Sequence, residues 1–161
     1  MEIRRFETGD EVALSALIRR TLLEVNGDDS RREVEYLYAR YTPETVADNA
    51  HRGHTYVLTG GGAILGTGTI LATAAEESEI LGLFLASELV GRGCGRRLLA
   101  ALENDPLFTQ AERVWLTSST MALGFYERMG YQYVGGFRSR NNSEGLIYME
   151  KHPQKTSCGM A

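Results

Sequence analysis

A mixed α/β domain on one largely antiparallel sheet of about seven strands, flanked by helices, is the fold class this sequence predicts. Three observations carry it. An apolar repeat at helical spacing opens the chain, three strand-like runs then follow one another without a helix between them, and the later helices and strands do not alternate strictly. Strict alternation would instead point to a doubly wound parallel sheet.

Met1 to Phe6 alternates like a short strand, and Gly9 or Asp10 can start a helix whose apolar residues Val12, Leu14, Leu17, Ile18, Leu22 and Val25 recur at helical spacing. Asn26-Gly27-Asp28-Asp29 breaks that helix. Val34, Leu37, Tyr38 and Tyr41 predict a second helical piece ending before Pro43, where a short third one starts. Thr55 to Thr59 and Ala63 to Ala72 read as two strands of a hairpin turned by Gly60-Gly61-Gly62. Ser78 to Ala86 extends the same sheet in antiparallel order. Arg96 to Glu103 predicts a helix with Leu98, Leu99 and Leu102 facing inward. A strand over Val114 to Thr117, a helix over Thr120 to Met129 stopped by Gly130, and closing strands over Tyr131 to Phe137 and Leu146 to Glu150 complete the chain.

With 161 residues and 43% hydrophobic content, the chain can bury one core but not two ordinary ones. Residues 1–152 read as a single domain, and 153–161, which lose all periodicity, as a disordered tail. The net charge is −4 with scattered basic residues, so no face reads as a footprint for nucleic acid. No apolar run approaches the roughly 20 residues that cross a bilayer, and the charged N-terminus lacks the apolar stretch of a signal peptide. No membrane partner and a cytoplasmic location are the expectations. The two cysteines, Cys94 and Cys158, make no disulfide framework, and His51 and His54 lack partners at ligand-like spacing, so no metal is expected.

The chemistry gathers in Leu89-Val90-Gly91-Arg92-Gly93-Cys94-Gly95-Arg96-Arg97-Leu98-Leu99, where three alternate glycines join a strand to a helix. Without Cβ atoms, such a chain can turn several N–H groups toward one point, and the helix dipole behind it favours an anion such as a pyrophosphate. Arg92, Arg96 or Arg97 can add positive charge. The spacing matches neither a dinucleotide fingerprint, which needs a third glycine at Arg96, nor a nucleoside-triphosphate loop, which ends in Gly-Lys-Ser/Thr. Taken alone, the glycines are equally those of a tight strand-to-helix connection.

Together with two further segments the loop resembles a family. It is similar to the Q/R-x-x-G-x-G/A signature of the GCN5-related N-acetyltransferases, with the Arg-Arg-Leu-Leu helix that follows. Phe125-Tyr126-Glu127-Arg128-Met129-Gly130-Tyr131 resembles the family's F-Y-E-x-x-G-F element, about thirty residues downstream, preceded by Ser119-Thr120-Met121-Ala122 in place of an S-x-x-A lead. Glu79-Ile80-Leu81-Gly82-Leu83-Phe84-Leu85 takes the place of the family's fourth strand. The resemblance covers Met1 to Lys151 and implies the acyl-CoA N-acyltransferase fold. One residue departs from it: Val90 stands where the family prefers Gln or Arg, which removes a side-chain contact near the phosphates.

The resemblance implies that an acetyl group passes from acetyl-CoA directly to a primary amine, through a tetrahedral species and without a covalent enzyme intermediate. The strands Ser78 to Ala86 and Val114 to Thr117 are expected to splay around the donor. Backbone groups of Leu83, Phe84 and Leu85 would hold the pantetheine and polarise the thioester, while Gly91, Arg92, Gly93, Cys94, Gly95 and Arg96 would hold the pyrophosphate. Tyr126 matches the tyrosine that protonates the departing thiolate, although a half-buried tyrosine packed beside Phe125 and Met129 would look the same. Glu79 is the candidate general base, although a solvated strand-end carboxylate is the simpler reading. Ser119 reads first as the N-cap of the helix bearing Tyr126 and second as a donor contact. Cys94 reads as a small apolar side chain turned inward rather than as a nucleophile. Glu24, Asp28, Asp29 and Glu33 can face a cationic substrate or simply be solvated. The acceptor, a small molecule or a protein amine, is left open. A homodimer through the edge near Tyr131 to Phe137 is a family habit. The rival reading is a catalytically weak or inactive regulatory module that keeps the acyl-CoA cleft.

Overall fold

Residues 1–25, 31–136 and 146–153 are described by a computed structural model. The turn Asn26-Gly27-Asp28-Asp29, Phe137 and the tail from Gln154 onward, with Cys158, lie outside them. The chain runs β1 (Glu2–Arg5), α1 (Glu11–Val25), α2 (Arg31–Arg40), α3 (Pro43–Arg52), β2 (His54–Gly60), β3 (Ala63–Ala74) and β4 (Glu77–Leu85). It continues through α4 (Cys94–Glu103), α5 (Pro106–Thr109), β5 (Arg113–Ser118), α6 (Leu123–Arg128), β6 (Gln132–Tyr133) and β7 (Ile147–Lys151). One seven-stranded sheet results, ordered β1-β2-β3-β4-β5-β7-β6. Every neighbouring pair is antiparallel except β4 with β5, which run parallel. The largely antiparallel mixed sheet expected from the sequence is thus present.

Alternation along β2 shows how the sheet is covered. Val57 packs in a cluster with Leu14, Ile18 and Leu22 of α1 and Val46 of α3, while its neighbour Leu58 packs with Leu89 and Cys94. Successive strand residues point to opposite faces, so helices cover both sides. The largest cluster joins Ile70, Ile80, Val114, Leu116 and Met149 of the sheet to Leu99 and Leu102 of α4 and Phe108 of α5. Each such leucine contributes about 1.5–3 kcal/mol by leaving water, which makes α4 a fixed support for the loop that precedes it.

Local chemistry sets several boundaries differently from the sequence reading. Val12 belongs to the apolar repeat of α1 but is 65% exposed, on the solvent side of the first turn. Helix α4 begins at Cys94 rather than Arg96, because Gly93 adopts φ 81° and turns the chain directly into the helix. The segment Thr120 to Met129 is not one helix: a tight turn over Thr120–Ala122 precedes α6. The first closing strand is only two residues long, since Gly135 and Gly136 at φ 72° and 78° leave the extended conformation. The short helix α5 was not expected, although Asp105 caps its start by accepting the Leu107 N–H and Pro106 opens its first turn. By contrast α3 starts at Pro43 as expected, with Thr42 Oγ1 accepting the Thr45 N–H.

Two polar clusters tie the end of α4 to the sheet. Glu103 Oε2 accepts from Lys151 Nζ at 2.9 Å and from Tyr131 Oη at 2.8 Å. The Asp105 carboxylate, wholly buried, accepts from His54 Nδ1 at 2.8 Å, Tyr56 Oη at 2.6 Å and the Leu107 N–H at 2.8 Å. Among the described residues, no helix is long and apolar enough to cross a membrane, and no three His, Cys, Asp or Glu side chains gather as a metal site.

Burial alone would raise the Asp105 pKa, but the Tyr56 hydroxyl, the Leu107 N–H and His54 outweigh it and hold the carboxyl below its ordinary value. Removing the carboxylate leaves three donors without an acceptor, so Asp105→Ala is expected to cost about 3 kcal/mol in urea unfolding at pH 7. Because the folded pKa lies below the unfolded one, that contribution is present above about pH 4 and fades as pH falls through the folded value. A cost independent of pH down to pH 2 would contradict this account.

Candidate active site

The ladder between β4 and β5 pairs Glu77 with Arg113, Ser78 with Val114, Glu79 with Trp115 and Ile80 with Leu116, and ends there. Beyond that point β4 stays with β3, from Gly82 opposite Thr69 to Leu85 opposite Gly66. Strand β5 stays with β7, where Thr117 faces Tyr148 and Ser118 faces Ile147. The strands part at a bulge: Ile70 pairs with Ile80 and Thr69 with Gly82, so Leu81 is the extra residue. Gly82 sits at φ 154°, and a Cβ there would lie 3.2 Å from the Phe84 ring. A cleft of ≈ 1000 Å³ opens between the strands, and one edge of β4 from Leu81 to Leu85 is left without a strand partner.

At the end of β4 the glycine loop borders the same cleft. Gly91 and Gly93 have φ of 83° and 81°, and no atom lies within 4 Å of where their Cβ atoms would be. Such backbone is strained for other residues and leaves the main chain open on that side. The Arg92 N–H donates to Leu89 O at 3.2 Å, and the Arg97 N–H to Gly93 O at 3.2 Å. Among the described residues, the N–H groups of Gly91, Gly93, Cys94, Gly95 and Arg96 donate to no main-chain or side-chain acceptor. They cluster at the N-terminus of α4, where the helix dipole adds positive potential. The arrangement fits a phosphate-bearing ligand. Gly95 also keeps α4 close to its neighbours, since a Cβ there would meet Leu85 at 3.4 Å and Phe125 at 3.5 Å.

Of the residues singled out from the sequence, Glu79, Leu83, Phe84, Leu85, Gly91, Gly93, Gly95, Arg96, Ser119 and Tyr126 all line this one cleft. Cys94 and Arg92 do not. The Cys94 side chain is 2% exposed against Leu58 and Leu89, the inward apolar packing expected of it, and Arg92 is exposed outside. Ser119 precedes the turn at Thr120, but its side chain makes no capping hydrogen bond. Ser119 holds the N-cap position of that turn, its carbonyl accepting the Ala122 N–H, whereas the N-cap of α6, the helix bearing Tyr126, is Ala122. Glu24 is exposed and accepts from Ser87 Oγ at 3.0 Å. Asp28 and Asp29, and the side chain of Glu33, lie outside the described residues.

Tyr126 is 5% exposed, edge-on to Phe125 and Tyr131 with ring centroids at 5.2 and 5.6 Å. Its hydroxyl has no hydrogen-bond partner among the described residues. Burial, with a smaller effect of Tyr41, raises its pKa well above that of free tyrosine, so it stays protonated. Glu79 is not a solvated strand-end carboxylate. Burial pushes its pKa up to about 7, against the opposing charges of Arg40 and Arg52.

The side chains of the other wall were not singled out as site residues from the sequence. Tyr36, Arg40 and Tyr41 reach the cleft from α2 and its end, Trp115 and Thr117 from β5, and Tyr148 from β7. Tyr41 is buried, edge-on to Phe84 at 5.2 Å, with its pKa pushed up to about 12 mainly by burial. A signal for the β5 pair exists: Val114, Leu116 and Ser118 are buried, so Trp115 and Thr117 must share the opposite face. For Tyr36 and Arg40 no such signal exists, because helical spacing alone does not say which face meets the gap.

Comparison with known proteins agrees with this geometry. A family profile described as an acetyltransferase (GNAT) domain matches residues 25–152. The chain belongs to the GNAT acetyltransferase family. Curated protein sequences give no match. Among solved structures, the PaiA N-acetyltransferase of Thermoplasma acidophilum, in complex with coenzyme A, superposes with a TM-score of 0.78 at 18% identity, covering 94% of this chain and 98% of that one. An aminoglycoside 6'-acetyltransferase type Ii gives 0.72 at 20% identity, covering 94% and 97%. A ribosomal-protein-alanine N-acetyltransferase from Brucella melitensis gives 0.68 at 18%, covering 94% and 99%. At such identities the likeness is one of fold: the acyl-CoA N-acyltransferase fold.

Glu79 gives a direct test of the site's electrostatics. Its carboxyl is expected to titrate near pH 7 in a carbon-detected NMR titration, and higher in Arg40→Gln, which removes an opposing charge. The folded pKa exceeds the ordinary value of 4.5, so the folded state holds the proton more tightly and Glu79 lowers stability as pH rises from 4.5 to 7. Above pH 7, Glu79→Gln is therefore expected to be more stable than the parent. A midpoint near 4.5 would show the carboxylate to be solvated.

Proposed function

We propose that the chain is an N-acetyltransferase that moves an acetyl group from acetyl-CoA directly to a primary amine. The observation that carries this reading is convergence in one cleft: unpartnered N–H groups at a helix start, an open strand edge, a carboxyl with pKa about 7 and a buried neutral tyrosine. In this reading residues 1–152 form the transferase domain.

The N–H groups of Gly91, Gly93, Cys94, Gly95 and Arg96 hold the pyrophosphate, with the Arg96 side chain adding charge. Cys94 contributes its main chain only, and Arg92, outside the cleft, contributes long-range charge alone. Leu83 and Leu85, whose main-chain groups face the open edge, bond the pantetheine arm and polarise the thioester carbonyl, while Phe84, whose main chain faces β3, lines the cleft with its ring. Ser119 borders the donor from the β5 side.

An acceptor amine is protonated near neutrality and must lose a proton before it attacks. Glu79, close to half-ionised at pH 7, takes that proton directly or through water. The nitrogen lone pair forms the new C–N bond, the C–S bond breaks, and the electron pair leaves on sulfur. The Tyr126 hydroxyl, whose burial keeps it neutral, gives the thiolate its proton. Nitrogen gives up two protons, one to Glu79 before attack and one to water from the tetrahedral species, while sulfur gains one from Tyr126; solvent exchange restores both side chains, and each turnover releases one proton.

Calorimetry with acetyl-CoA, followed by thiol release across a panel of amines, tests the reading. Binding with no release from any amine would instead favour a regulatory acyl-CoA-binding module, and no binding would defeat both. Tyr126→Phe is expected to lower kcat about a hundredfold while acetyl-CoA binding stays within about twofold of the parent. Comparable turnover would remove Tyr126 from its role. The kcat/KM for the amine should rise with pH through an apparent pKa near 7, because the base acts when ionised, and Glu79→Gln should abolish that limb. An unaltered limb in the variant would assign it to another group.

A further inference from the structure

The two ends of the cleft differ in what they offer a ligand. The glycine loop follows Leu85, and Glu79 lies six residues upstream on β4, roughly 20 Å away along an extended strand. Phosphates seated at the loop are therefore remote from Glu79. The charged side chains lining the cleft at the Glu79 end are Glu79 itself and Arg40, the last residue of α2. Arg96 and Arg128, the other charged residues of the lining, belong to α4 and α6.

Arg40 is oriented but not neutralised. Its Nη1 donates to Tyr36 Oη at 2.9 Å, one turn earlier on the same helix. No carboxylate among the described residues lies within 4.0 Å of its guanidinium, whereas Arg4, Arg31, Arg52 and Arg113 each have one. Its charge is felt at Glu79, yet the two form no ion pair. Both line the cleft. The remaining N–H groups of the guanidinium fork suit a planar carboxylate, which they can engage with two parallel bonds. Trp115 and Tyr148, with ring centroids 5.9 Å apart, supply an apolar wall on the opposite strands for a short methylene spacer.

We propose that the acceptor is a small amine that also carries a carboxylate, seated with the carboxylate on Arg40 and the amine toward Glu79. This rests on the acetyl-transfer reading and adds the acceptor class to it. A cationic diamine would place its second charge against Arg40, and a neutral amine would leave the guanidinium unused.

The test measures thiol release from acetyl-CoA by the full chain with matched acceptors: β-alanine against its amide, 4-aminobutyrate against its amide, and putrescine as a diamine. In at least one pair the carboxylate is expected to exceed the amide about tenfold or more in kcat/KM. In Arg40→Gln that ratio is expected to fall to about one through KM, with partial recovery in Arg40→Lys. Amides equal to or better than the acids, putrescine as the best acceptor, or a ratio unchanged in Arg40→Gln would overturn the proposal. So would faster transfer from succinyl-CoA than from acetyl-CoA to putrescine, which would place Arg40 against the acyl chain. If acetyl-CoA binds but no amine releases thiol, the transfer reading fails by itself, and calorimetry of the CoA-loaded chain with the same pairs decides the inference. Binding of the acid about tenfold tighter than the amide, lost in Arg40→Gln, supports it, and equal or absent binding overturns it.

Discussion

Once β4 and β5 part after Ile80 and Leu116, each presents main-chain groups that no neighbouring strand can take. A sheet in the middle of a core cannot leave such groups bare at no cost. The extra residue Leu81 and the backbone of Gly82 set the point of departure, and the anchored ends of both strands prevent the gap from closing. The cleft, the open edge of β4 and the approach to Tyr126 all depend on that one divergence.

Everything that braces the divergence lies behind it. Helix α4 is packed through Leu98, Leu99 and Leu102, and its C-terminal end is tied to β7 by Glu103 and Lys151 and to β2 by Asp105. Its other end therefore stays fixed while carrying unpaired N–H groups. The opposite wall is built otherwise, from side chains on α2, β5 and β7. An end made of main chain and an end made of side chains share one gap.

The same division governs how much was legible in the sequence. The hairpin at Gly61 and Gly62, the glycine loop and the Phe-Tyr-Glu segment carry local signals, and these located the sheet, the cradle and Tyr126. The inward side chain of Cys94 was read correctly because the family resemblance puts an apolar residue at that loop position, although the cleft lining does not include it. Ser119 stands at the start of the turn before α6 without a side-chain cap; it was read as one because a serine before a helical segment resembles a cap whether or not its hydroxyl bonds the chain ahead. Glu79 looked like a solvated carboxylate because desolvation comes from the neighbouring walls, which no local pattern encodes. Arg40 and Tyr36 went unread for a related reason: their helix meets a gap created by two strands far along the chain, β4 and β5.

Recognition through main-chain groups has an evolutionary corollary. A cradle made of N–H groups is nearly blind to side-chain identity, so almost any residue outside the glycines can drift without erasing it. The fold itself is shared at 18% identity, as the superposition on the Thermoplasma structure shows. Under the proposed function, selection for new acceptors falls on the side-chain wall, where single exchanges alter chemistry and leave the main-chain end untouched. Inheritance of the donor and innovation in the acceptor become separable within one small domain.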